Sequence, residues 1–371
     1  MGQVGQPWEH GRVPSSLPAS PLHAGGHPGT APAATSVWVP QGPYSLESTL
    51  SVLQRGTHDP CTRVGRGEAW LCFSTPEGPA SLRLTQPAAG PVAAEPGAAK
   101  PAVAEPPPHS SPAGHSFGGP SSPVRIRAWG PGARAALAGV PRLLGAGDDW
   151  SGFDESGFRA SLPRAVNEAR RRNPGLRLPA TGRVFDALVP AILEQKVTVI
   201  EARYAWRYLV RRFGSPAPGP VPEGMAVAPD AHALRRVPSW EWHAARVDAK
   251  RSMTILRAAE AAAGLDRLGS RELTDGVSAT LQTVPGIGPW TAAEVLQRTH
   301  GDPDSVSVGD FHLAAWVGYA LTGRKTDDAG MLRLLEPWAG HRQRFVRMLG
   351  LTGFRKPSYG PRLSPEDHRR R

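Results

Sequence analysis

The chain has 371 residues, a formal net charge of +11, 42 Gly, 40 Pro and two Cys. That length accommodates more than one domain, and Cys61 and Cys72 alone exclude a zinc ribbon or a four-cysteine iron–sulfur cluster. No apolar run approaches the ~20 residues of a membrane span, and "MGQVGQPWEHGRVPSS" lacks the blocks of a secretory signal, so a cytoplasmic protein is expected.

Residues 1–36 are rich in Pro, Gly, Ala, Ser and His without periodicity, the composition of a disordered arm. "TSVWVPQGPYSLESTLSVLQ" then predicts a strand and a short helix. "EAWLCFSTPEGPASLRLT" predicts a hairpin, with strands at 69–74 and 80–85 around Pro76-Glu77-Gly78. The tract 86–122 holds 23 Pro, Ala or Gly among its 37 residues and cannot build a core. Because "VRIRAWG" at 124–130 alternates like a further strand, that tract is expected as an insertion inside one small sheet domain, 37–165.

Residues 1–123 carry six Lys or Arg against seven acids, so the basic excess lies from 124 onward. A basic folded region beside a near-neutral one points to a polyanion, with nucleic acid first. An Arg-rich composition with no such partner is the plainer alternative.

From about 131 the pattern turns helical. "RVFDALVPAILEQKV" has helical spacing, with Pro190 predicted to kink the helix or end its first part. Thr198 and Glu201 form a capping box for "VIEARYAWRYLVRRFG", whose Trp206, Leu209, Val210 and Phe213 share a face. Further helices are expected at about 230–237, 240–263, 271–283, 290–299, 310–322, 328–338 and 341–351. The fold class is therefore α+β: a small N-terminal antiparallel sheet domain, then an all-α domain over 166–355 and a basic tail over 356–371. The runs containing Arg170, Arg171 and Arg172, Arg211 and Arg212, and Arg369, Arg370 and Arg371 are expected as solvated surface, some of it touching phosphates.

"LQTVPGIGPWTAAEVLQ" is a helix, a tight glycine turn and a second helix. The turn presents amides around Gly286 and Gly288 at a helix start, where the dipole also favours an anion. A Cβ at either glycine would obstruct a phosphate, so the hairpin suits a backbone grip that reads no sequence. An ordinary helical hairpin would also need glycines for its turn. Twenty-two residues after Gly288, Asp310 opens the apolar stretch of "SVSVGDFHLAAWVGYAL". Aspartate there is equally a preferred N-cap.

The hairpin at 281–292, the aspartate of "VGDFH" and the upstream "NPGLRLPATGRVFDALVPAILEQKVTV" together resemble the helix-hairpin-helix DNA glycosylases, specifically the alkylation-repair branch of 3-methyladenine DNA glycosylase II type. The resemblance implies a base flipped from the duplex and Asp310 as the catalytic carboxylate, stabilising positive charge at the sugar C1′. Trp290 stands where members with lyase activity carry lysine, which implies a monofunctional N-glycosylase that leaves an abasic site. It also implies Trp290, Phe311 and Glu294 around the base pocket, with the indole stacking on a cationic alkylated purine. Phe311 replaces a tyrosine, and Glu294 replaces an aromatic wall, either attracting the cationic base or facing solvent.

Gly286, Ile287, Gly288 and Thr291 of the hairpin, with Gln195 and Lys196 of "LEQKVT", would meet the DNA. The implied partner is double-stranded DNA containing alkylated bases, bound by a monomer in the cytoplasm near the nucleoid. No redox or organic cofactor is expected, only a monovalent cation at the turn. The C-terminal iron–sulfur motif of the oxidised-pyrimidine and mismatch-adenine branches is absent. A lesion-binding protein without catalysis, or a glycosylase for oxidised or deaminated bases, are the rival readings.

Overall fold

Strict alternation builds the sheet. In β3 (Glu68–Thr75), Ala69, Leu71 and Phe73 enter one core while Trp70 and Cys72 enter another. β4 (Gly78–Thr85) folds back on it from Thr75↔Gly78 to Glu68↔Thr85, as the turn residues predict. With β1 (Ala34–Trp38), β2 (Thr62–Gly65) and β5 (Val124–Trp129), these strands form a sheet of order β1-β5-β4-β3-β2, antiparallel throughout. β4 and β5 are neighbours, so the Pro/Ala-rich tract joins adjacent strands of one sheet.

β1 begins at Ala34, inside the arm expected to reach 36. β2 carries too short and polar a sequence to signal a strand alone, and exists by pairing with β3. A computed structural model describes residues 31–87 and 121–357. The rest of the expected arm and insertion, and the tail from 358 with Arg369, Arg370 and Arg371, lie outside the described residues.

One face of the sheet packs on Leu46, Leu50, Ala133, Ala136 and Leu143 from short helices. Its other face stacks Trp70 on Trp129 at 5.6 Å and meets Met225 and Val227.

The helical part has two cores. The larger joins the helices Val184–Leu193, Val199–Phe213, Ala249–Glu260, Ala262–Leu268 and Pro289–Thr299. The second joins Trp150, Phe153 and Val166 to Val317, Met331, Phe345 and Met348. The chain thus starts the second core, leaves to build the first, and returns through residues 301–312. The segment 150–162, grouped with the sheet on sequence, packs with the C-terminal helices.

Three local expectations change in the fold. Of the two outcomes expected at Pro190, a kink or an end, the end does not occur, and the helix continues to Leu193. The helix expected at 240–263 is three, Ser239–Ala244, Ala249–Glu260 and Ala262–Leu268, with Arg246 in the left-handed region (φ 60°) between the first two. Arg170 is not solvated: it is buried, paired with Asp154 at 2.6 Å and lying 4.1 Å over the Trp150 ring. Arg212 pairs with Glu241 at 3.2 Å. The Thr198–Glu201 capping box forms as predicted.

Candidate nucleic-acid interface and active site

The hairpin forms from the helix Asp275–Gln282, the turn 283–288 and the helix Pro289–Thr299. Its two glycines are required for different reasons. Gly286 has φ +101°, and a Cβ there would lie 2.2 Å from Thr254 Oγ1 on the helix Ala249–Glu260. Close packing inside the protein therefore demands it. Gly288 is the N-cap of the second helix, and a Cβ there would meet nothing within 4 Å. Only this glycine leaves open space for an outside group.

The amides of Gly286, Gly288, Trp290 and Thr291 donate to no acceptor among the described residues. They sit at the positive end of an 11-residue helix that opens with Pro289, an arrangement suited to an anion. Two hairpin residues expected on DNA turn inward. Ile287 is buried in the larger helical core and its amide donates to Val284 O, so its side chain is not available to DNA. Thr291 is buried, and its hydroxyl accepts from Gln195.

Gln195 acts within the protein as a brace. Its Nε2 donates to Gly286 O at 3.0 Å and Thr291 Oγ1 at 2.9 Å, tying the end of the helix Val184–Leu193 to the hairpin. Next to it Lys196 is exposed, with a left-handed backbone (φ 54°). Val199 and Ile200, 56% and 66% exposed, open the following helix beside it. That apolar pair was not singled out in the sequence.

Asp310 sits on the return path to the second core. Its Oδ1 accepts from the amides of His312 and Leu313, both at 2.8 Å, and so ties down the start of the helix Leu313–Thr322, whose N-cap position is His312. Its Oδ2 has no partner among the described residues. The preceding Gly309 has φ +91°, and its ideal Cβ would lie 4.0 Å from Trp290 Cβ. The half-buried Trp290 and the Gly309–Asp310 turn, carried by elements of different cores, therefore approach each other. Phe311 is 78% exposed and packs edge-on to His312 at 4.8 Å, so it stands at the rim and encloses no pocket in this structure.

Glu294 takes neither position expected of it. Its Oε1 accepts from Ser307 Oγ at 2.6 Å and its Oε2 pairs with Arg298 at 2.7 Å. Burial pushes its carboxyl up, but Arg298, the Ser307 hydroxyl and Arg55 outweigh that and hold it below the usual carboxylate range. Ser307, Gln297 and Arg298 were not singled out on sequence. The i,i+4 spacing of Glu294 and Arg298 was the available signal; nothing local marks Ser307.

A separate cavity of about 80 Å³ lies between β3 and the helix Val184–Leu193, lined in part by Asp59, Cys61, Phe73, Arg183 and Asp186. None of Trp290, Asp310 and Phe311 lines it. Desolvation raises Asp186 to about 6, against the pull of Arg183 at 3.1 Å. Among the described residues no group of three or more His, Cys, Asp or Glu could hold a metal ion, and no helix is long and apolar enough to cross a membrane.

The fold, a small antiparallel sheet followed by two helical cores, is shared with solved DNA glycosylases. The 3-methyladenine DNA glycosylase from Archaeoglobus fulgidus superposes with a TM-score of 0.62 at 13% identity, covering 86% of this chain and 99% of that one. MBOgg1 in complex with a low-affinity DNA ligand gives 0.59 at 14% identity, covering 88% and 96%. The 8-oxoguanine glycosylase/lyase of Clostridium acetobutylicum gives 0.56 at 10% identity, covering 84% and 94%. No family model matches the sequence, and no curated protein does.

Proposed function

We propose that this protein is a monofunctional DNA glycosylase that excises alkylated purines of the 3-methyladenine type from duplex DNA. The observation that carries this reading is the approach of Trp290 to the Gly309–Asp310 turn, beside a row of unengaged hairpin amides. The amides of Gly286, Gly288, Trp290 and Thr291 would hold the phosphate backbone, and the exposed Lys196, Val199 and Ile200 would fill the gap left by the flipped nucleotide. A cationic purine between Trp290 and Phe311 would gain stacking and cation–π attraction that a neutral base lacks. Such a base is already a good leaving group. Asp310 Oδ2 then stabilises the positive charge developing at C1′, while Oδ1 stays with the helix amides that aim it.

Trp290 offers no amine, so no Schiff base forms at that position and the strand stays intact. The monovalent cation belongs to the same proposal: the carbonyls of Thr283 and Ile287 accept no hydrogen bond among the described residues and are the oxygens free to hold it. The protein would act as a monomer in the cytoplasm.

Release of free bases from methylated duplex DNA, identified by mass spectrometry, tests the reading. Wild type is expected to free methylpurines and leave unbroken abasic strands that borohydride does not trap. Asp310→Asn is expected to bind DNA but release base at least about 100-fold more slowly. The rival reading with an observation behind it is a lesion-binding protein, because Asp310 already has a structural task, holding the amides of His312 and Leu313 at a helix start. DNA binding without base release by either protein would establish that rival.

A further inference from the structure

Trp290, Glu294, Gln297 and Arg298 fall at i, i+4, i+7 and i+8 of the hairpin's second helix, which places them along one stripe. That stripe grips the turn bearing Asp310. Glu294 Oε1 accepts from Ser307 Oγ at 2.6 Å, and Gln297 Nε2 donates to Ser307 Oγ at 3.1 Å and Ser305 O at 3.0 Å. Ser307 O in turn accepts the amide of Asp310 at 3.2 Å. Ser307 and Gln297 are buried, so these bonds do not compete with bulk water. Arg298 compensates the carboxylate, donating to Glu294 Oε2 at 2.7 Å and to its own-helix Glu294 O at 2.8 Å.

We infer that Glu294 is a positioning residue: through Ser307 it sets the distance between Asp310 and the hairpin that holds the DNA. This rests on the glycosylase reading above. The physical need is clear from the topology. Asp310 lies on the path by which the chain returns to the second helical core, and among the described residues its backbone makes one hydrogen bond, to Ser307. A carboxylate must stand within a fraction of an ångström of its working position, and a 1 Å displacement costs about 100-fold in rate. A charge-assisted bond to Ser307 is short and directional, and it originates on the helix that carries Trp290. The side chain at 294 thus serves the catalytic turn instead of walling the base.

The test pairs single-turnover base release with hydrogen exchange. Glu294→Ala and Ser307→Ala are each expected to slow release about 10- to 100-fold, with DNA affinity within about twofold of wild type. The double variant is expected to be no slower than either single one, because both remove the same bond. Glu294→Gln, whose amide oxygen still accepts from Ser307, is expected to recover most of the lost rate. Exchange at the amides of 307–313 should rise in Glu294→Ala while that of 292–299 stays as in wild type. Additive losses, equal losses in rate and affinity, or unchanged exchange at 307–313 would overturn the inference. If wild type releases no base, the glycosylase reading fails, and the exchange comparison still decides whether Glu294 positions the turn.

Discussion

Gly286 and Gly288 look interchangeable in "PGIG", yet their surroundings differ. Gly286 combines φ +101° with a Cβ direction that ends 2.2 Å from Thr254 Oγ1. Alanine there is expected to destabilise the fold by about 2–3 kcal/mol through strain and overpacking. Gly288 has an extended backbone and open space at its Cβ. Alanine at Gly288 should leave urea unfolding within about 0.5 kcal/mol of wild type while weakening affinity for a DNA duplex several-fold. Equal loss of stability in both variants would mean that the turn is structural throughout. Asp310 leaves open both roles that sequence position offers as alternatives, since one carboxylate oxygen holds two amides at a helix start and the other has no partner among the described residues.

At the scale of elements, the hairpin is held from two sides. Gln195 closes it from the end of the helix Val184–Leu193, and Thr254 packs beneath Gly286. The buried Arg251 secures the same neighbourhood, donating to Leu193 O at 2.8 Å and Arg246 O at 3.0 Å while pairing with Asp248 at 2.6 Å. Gln195→Ala removes two hydrogen bonds, of which the one to the exposed Gly286 carbonyl is replaced by water, at a cost of about 1 kcal/mol. Chemical denaturation should show that loss, and DNA affinity should fall with it as the turn loosens. An unchanged denaturation midpoint would show that the turn stands without its brace.

At the scale of the whole molecule, the sheet and the larger helical core are joined across polar ground. Arg55 pairs with Glu194 at 2.6 Å, the Arg183 guanidinium lies 3.7 Å over Phe73, and Asp186 lines the cavity between them. Asp186 has a folded value of about 6, raised above its ordinary 3.8. The folded protein therefore binds this proton more tightly than the unfolded chain, and the associated stability is complete below about 3.8 and lost as pH rises through 6. His300 and His341, both lowered mainly by burial, act in the opposite sense, favouring the fold above their ordinary 6.5. Comparison of Asp186→Asn with wild type isolates the first effect. On acidification from pH 7 to 5 the variant should gain less stability, or lose more, than wild type. Parallel pH profiles in urea unfolding would remove Asp186 from this account.

The sequence by itself determined what depends on near neighbours. The Thr198–Glu201 box spans three residues, the hairpin strands of the sheet follow from alternation and a two-residue turn, and the glycine turn announces itself in four letters. It also brought Trp290 and Asp310 forward as a pair, through a resemblance carried by motifs. Only the tertiary structure decided which groups those motifs would touch. Gln195 reaches its hairpin carbonyl across 91 residues of chain, and Glu294 gives up the base pocket for a serine 13 residues on that no local signal marks. Arg170, one of three consecutive arginines, is buried because Asp154 and Trp150 happen to close over it. Backbone propensity and capping act within a few bonds, whereas burial and ion pairing are settled by which elements the fold brings together.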